Sequence, residues 1–159
     1  MGFAEWVRTR LVTPDAVYGL ILYTALIGGV SDGDHNALEV LLLSGASLLI
    51  FWGAHVYAGT LAGHGTSGFR KSLWGAMKHS SGMLYASILP SIPLVLASFS
   101  LISADDGSDY ALLIAMVVLG LLGYKAFAAR KSPIFVRILG GIGTALFGFL
   151  MIILNLIVH

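Results

Sequence analysis

The chain has 159 residues, 57% of them hydrophobic and 11% charged, against about 25% charged residues in a typical soluble domain. So apolar a chain cannot cover itself with polar surface and takes lipid as its outer solvent; its net charge of +1 says little by itself, and no nucleic-acid partner is expected. It contains no cysteine, which excludes disulfides, thiolate metal sites, iron–sulfur clusters and cysteine nucleophiles together. The length suits one domain.

In chain order, MGFAEWVRTR places Phe3, Trp6 and Val7 on one helical face beside Arg8 and Arg10, the pattern of a short interfacial helix over residues 1–10. Spanning the hydrocarbon takes roughly 20 apolar helical residues, and five stretches are expected to do so: 12–30, 37–62, 75–103, 110–128 and 134–158. Thr13 suits the N-cap of the first, Pro14 its first helical position, and Asp15 its positive end. The nine Lys and Arg residues fall in three places: Arg8 and Arg10; Arg70, Lys71 and Lys78; and Lys125, Arg130, Lys131 and Arg137. Six acids fall in the other two connections: Asp32, Asp34 and Glu39, then Asp105, Asp106 and Asp109. By the positive-inside rule this alternation predicts a cytoplasmic N-terminus and an outward C-terminus. The expected fold is all-α: a five-helix transmembrane bundle in a bacterial plasma membrane, surrounded by lipid and assembled as a homo-oligomer or as a subunit of a membrane complex.

Small residues should mediate the close contacts, because lipid tails give helices no hydrophobic reason to associate. They line Gly140, Thr144 and Gly148 of the fifth span, Ala54, Ala58 and Ala62 of the second, and Gly120 and Gly123 of the fourth. Within the monomer and between subunits are equally open uses. Pro90 and Pro93 lie near the middle of the third span and predict a kinked helix, or alternatively a broken one whose loose carbonyls line a site. Ser87, Ser91, Ser98 and Ser100 are candidates to satisfy carbonyls that the prolines free. GHGTSGFRKS, residues 63–72, lacks the lysine of a phosphate-binding loop, since Phe69 stands there, and reads as a flexible connection. Arg70, Lys71 and Lys78 follow it as inner-leaflet anchors.

FWGAHVYAG, residues 51–59, sets His55 in an apolar span. At about 100° per residue, Ser44, Ser47, Phe51, Ala54, Ala58 and Ala62 share its side of the helix, while Leu42, Leu49, Gly53 and Val56 lie opposite. The stripe is expected to point inward, where intramembrane ionisable residues usually sit. Depth leaves two partners in the first span, an Asp15–His55 pair or a Tyr18–His55 hydrogen bond. Such a histidine either relays protons or ties two helices together. A third use pairs His55 with His79 around a b-type haem: the H-x-S-G run at His79 is similar to the histidine motif of succinate dehydrogenase membrane anchors, but has Ser80 where that motif has arginine. The acids of the outer connections either concentrate cations at a mouth or serve ordinary solvated turns. No nucleophile and base match in depth; Ser47 and His55 are roughly 12 Å apart by helical rise, and an enzyme is not expected. No metal site is expected either.

FWGAHVYAG, HSSGMLYASILPSIPLVLASFSLIS and the closing LNLIVH resemble a group of small actinobacterial integral-membrane proteins without an assigned activity. The resemblance implies a polytopic plasma-membrane protein and carries over no catalytic residue. The function expected from the residues is a small channel or transporter for protons or other cations, running from the outer acids along Ser44 and Ser47 past His55, with Asp15 or Tyr18 as its partner. The alternative is a membrane scaffold or accessory subunit in which His55 is only a helix tie.

Overall fold

A computed structural model describes residues 11–31, 33 and 35–158, with side chains excepted at 66–67, 151–152 and 154–158. The interfacial helix expected over residues 1–10, and the acids Asp32 and Asp34, lie outside the described residues. All regular structure among the described residues is helical: α1 Pro14–Ser31, α2 Ala37–Ser67, α3 Phe69–Ser98, α4 Ala104–Ala129 and α5 Ile134–Val158. The first four are long and apolar enough to cross a membrane; in α5 the apolar stretch with described side chains is Ile134–Leu150.

Local chemistry sets the helix starts. The Thr13 hydroxyl accepts the Ala16 N–H at 3.1 Å, and Pro14 opens α1, as the sequence predicts. Asn36 and Glu39 form a reciprocal capping box at the start of α2, with His35 Nδ1 3.0 Å from the Glu39 carboxylate. Ser103 caps α4 by accepting the Asp106 N–H, so Asp105, Asp106 and Asp109 belong to the first turns of a helix that begins earlier than residue 110. There Asp105 and Asp106, in the first turn, complement the positive end of the helix dipole. This corrects the reading of DDGSD as a solvated turn.

The ends differ more from expectation. Gly68 alone separates α2 from α3, at φ +76° and ψ 153°, backbone that only glycine adopts freely. The stretch 63–72, expected as a flexible loop, is thus helical on both sides of one residue. With 31 and 30 residues, α2 and α3 are each about 45 Å long, well beyond a hydrocarbon core of about 30 Å. At its other end α3 stops at Ser98 rather than 103. Ser100 takes a left-handed φ of 58°, its N–H bonds the Ala97 carbonyl, and the Leu101 N–H bonds that of Leu96. These are the paired bonds of a Schellman stop; Lys131 ends α4 in the same way.

The helix α3 continues unbroken through Pro90 and Pro93, both buried. The broken-helix reading therefore finds no support in the backbone. Ser87, Ser91 and Ser98 donate to the carbonyls of Leu84, Ser87 and Val95, not to those of Ala86 and Leu89 that the prolines free. Ser91 also shares a 2.7 Å hydrogen bond with the Tyr23 hydroxyl, fastening α3 to α1.

α1 is the central helix and touches the other four. Its Ala16 and Leu20 pack with Ala86, Ala115, Leu119 and Leu122 in one half of the bundle. Its Tyr23 and Ile27 pack with Val40, Leu48, Leu94, Ala111 and Leu112 in the other. Gly19 lets α3 approach so closely that a Cβ there would lie 2.6 Å from that of Met83. The small residues of α5 are used within the chain: Gly140 and Thr144 meet Gly123, Gly141 and Ala145 meet Gly120, and Gly148 meets Leu119.

The second helix does not follow the wheel. Its buried row is Val40, Ser44, Leu48, Val56 and Thr60, all on one i, i+4 ridge with half-buried Trp52 in the gap. Each step of four residues drifts about 40° around the axis, so by Val56 the contact line has turned about 120° from Ser44. Val56, expected on the lipid side, is buried. Phe51, Ala54, Ala58 and Ala62, expected to face inward, are exposed.

Candidate functional site: a carboxylate between two imidazoles

Short connections between the antiparallel helices give the bundle two poles. The start of α1, the α2–α3 turn and the α4–α5 turn share one, with Arg70, Lys71, Lys78, Lys125, Arg130, Lys131 and Arg137. Glu39, Asp105, Asp106 and Asp109 gather at the other. Asp15 is the exception: among the described residues it is the one acid in the basic half.

Asp15 sits in the first turn of α1, held there by the Thr13 cap and by burial of the flanking Ala16 against α3 and α4. Only 8% of the residue is exposed. Its Oδ1 lies 3.4 Å from His55 Nε2 of α2, and its Oδ2 lies 3.6 Å from His79 Nε2 of α3. The carboxylate therefore lies between the two arms of the helical hairpin. Charge-assisted N–H···O bonds are about 2.7–2.9 Å long, so both contacts are ion-pair distances rather than closed hydrogen bonds. Among the described residues Oδ2 is buried without a hydrogen-bond partner. The imidazoles are unequal: the His55 side chain is 43% exposed and that of His79 73%.

Tyr18, one turn along α1, stacks on His55 with ring centroids 6.2 Å apart and planes inclined by 29°. It meets the histidine through its ring rather than through the expected hydroxyl bond. The constellation thus brings together Asp15, Tyr18 and His55, which the sequence singled out. It adds His79 as a second partner of the carboxylate.

It does not include the serines. Ser44 is fully buried and donates to the Val40 carbonyl of its own helix; Ser47 is half-buried. Eleven residues, roughly 16 Å of helical rise, separate Ser44 from His55, and Leu48 fills the buried row between them. Of the acids expected to form an outer mouth, Glu39 binds His35 and the Asn36 backbone, and Asp106 binds Ser103. They serve as helix-start groups whatever else they do.

Chemically, the cluster sets one buried carboxylate at ion-pair distance from two imidazoles. With one imidazole protonated the buried carboxylate has a counter-charge; with both neutral it has none, an arrangement that costs free energy in a poorly hydrated site. Both Nε2 atoms, which a haem between His55 and His79 would need as ligands, turn toward the carboxylate here. The imidazoles address different oxygens, and among the described residues no group of three ligating side chains closes on one metal position.

Comparison with protein-family models, with curated proteins and with solved structures finds no match to the chain.

Proposed function

We propose that the chain is a bacterial plasma-membrane protein that crosses the bilayer five times, N-terminus inside, and moves protons or other cations. In this reading Asp15, His55 and His79 take up and release a proton at the cytoplasmic end. The observation that carries it is the buried Asp15 carboxylate between two imidazoles that remain open to the surroundings. A passive tie would need only one imidazole and a closed hydrogen bond.

Apolar side chains fill the acidic half of the bundle around Tyr23, Ile27 and Leu48. The route therefore runs on the outward side of α2, past Ser47, Phe51 and His55, and is completed by a second copy of the chain. The acidic pole concentrates cations at its entrance. Purified protein in liposomes carrying a pH-sensitive dye tests this across about pH 5–8, the range in which imidazoles change charge. Wild-type protein dissipates an imposed proton or alkali-cation gradient faster than empty liposomes, and Asp15→Asn does so at less than half the wild-type rate. Wild-type flux equal to that of empty liposomes refutes the proposal.

One observation favours a second reading, an accessory subunit of a larger membrane complex. Ala54, Ala58 and Ala62 form a small-residue row on α2 that is exposed among the described residues, the kind of row against which membrane helices dock. That reading expects a larger protein to co-purify in mild detergent and His55→Ala to change stability alone.

A further inference from the structure

A groove of about 500 Å³ runs along the outer side of the α2–α3 hairpin in the basic half of the bundle. Trp52 of α2 and Met77 and Leu84 of α3 give it apolar walls; Trp74, Lys78 and Tyr85 line it as well. Trp74, Lys78 and Tyr85 stand at i, i+4 and i+11, one face of α3, so the groove follows the helix axis for roughly 16 Å. Trp74 is 71% exposed and stands at its basic end, toward the Gly68 turn; Tyr85 is 37% exposed and stands deeper.

Two features separate this groove from ordinary lipid-facing surface. It is apolar along its length yet carries a lysine near the end where Arg70 and Lys71 also stand. It is bordered by Trp and Tyr, the residues that settle at headgroup depth because one end of each ring is apolar and the other polar.

We infer that the groove is a binding site for one anionic glycerophospholipid. The phosphate sits at Lys78, and an acyl chain lies along Met77, Leu84 and Trp52. A length of 16 Å accommodates about the span of one acyl chain (half of a roughly 30 Å hydrocarbon core). Cations juxtaposed to the inner leaflet attract anionic headgroups at about 1 kcal/mol each, so the charge of the groove matches this occupant and not a zwitterionic one. The inference is independent of proton movement.

Tryptophan quenching tests it. Full-length protein carrying Trp6→Phe leaves Trp52 and Trp74 as its fluorophores, and is placed in phosphatidylcholine vesicles containing brominated phosphatidylglycerol or brominated phosphatidylcholine. The expected result is half-maximal quenching at a mole fraction about fivefold lower for the anionic lipid, the worth of one lysine near the surface. Lys78→Gln removes the difference and Lys125→Gln, on α4, keeps it. Equal quenching by both lipids overturns the inference in favour of ordinary solvating lipid. A preference that survives Lys78→Gln also overturns it, and so does protection from both lipids, which would mean that a second copy covers the groove.

Discussion

Asp15 shows what a single residue reveals and what it withholds. Its pairing with His55 was legible because two apolar spans of known direction set both residues at one depth. His79 was not legible as a third member. The sequence reading treated residues 63–72 as a loop, which hides the register of the hairpin. In the structure Gly59 faces Ala76 and Gly63 faces Ser72, pairs symmetric about the Gly68 turn to within a residue. On that register His55 lies level with residues 79–80, so placing the turn at Gly68 alone would have put both histidines beside Asp15.

The geometry predicts an asymmetry between deleting the carboxylate and deleting the imidazoles. Asp15→Asn removes the buried charge and leaves two imidazoles that are already partly exposed. The double variant His55→Ala/His79→Ala leaves the carboxylate buried without a cation. Thermal unfolding in detergent should show the double variant to be the less stable by about 1–3 kcal/mol, the cost of an unsatisfied buried group. Equal losses would mean that the cluster acts only as a tie.

At the scale of elements, the existence and order of the helices could be read from hydropathy and capping residues. Thr13–Pro14 marked the start of α1 correctly. What could not be read were the helix ends and the facing of α2. Glycine signals a loop by composition, but Gly65 lies inside a helix and only Gly68 breaks one. Helical wheels assume a contact line parallel to the axis, whereas α2 packs along an i, i+4 ridge that winds around it. Ser44 was therefore assigned to the buried side correctly and Ala58 incorrectly, because the error grows with distance along the helix.

The two glycines of the hairpin yield predictions of opposite sign. Gly68→Ala must place a Cβ at φ +76° and ψ 153° and should destabilise the hairpin by about 1–3 kcal/mol. Gly65→Ala meets nothing within 4 Å in a helical, exposed position and should stabilise by about 0.5–1 kcal/mol. Denaturant titration followed by circular dichroism would resolve both. A flexible loop at these positions would give two values near zero.

At the scale of the molecule, charge sorting and apolar surface argue for one orientation. Seven described Lys and Arg residues occupy one pole and four described acids the other. Between them lies a surface rich in exposed Leu, Ile and Phe, such as Ile50, Leu61, Phe135 and Ile142. Water would be a poor solvent for that belt; lipid is a good one. In the proposed orientation the excess of Lys and Arg faces the cytoplasm, and the Asp15 cluster and the α2–α3 groove lie at the inner leaflet. The chain has no cysteine, so single introduced cysteines report sidedness without background. In intact cells a membrane-impermeant maleimide should label Asp105→Cys and leave Arg70→Cys untouched, and inside-out vesicles should reverse the two. His159→Cys should label together with Asp105→Cys if α5 crosses the bilayer, and together with Arg70→Cys if it lies along the inner surface. Labelling of Arg70→Cys from outside would invert the molecule and put the carboxylate–imidazole cluster at the outer leaflet. Protons would then load from the opposite side, and the basic pole would face a leaflet in which an anionic lipid is not held by the cytoplasmic surface potential.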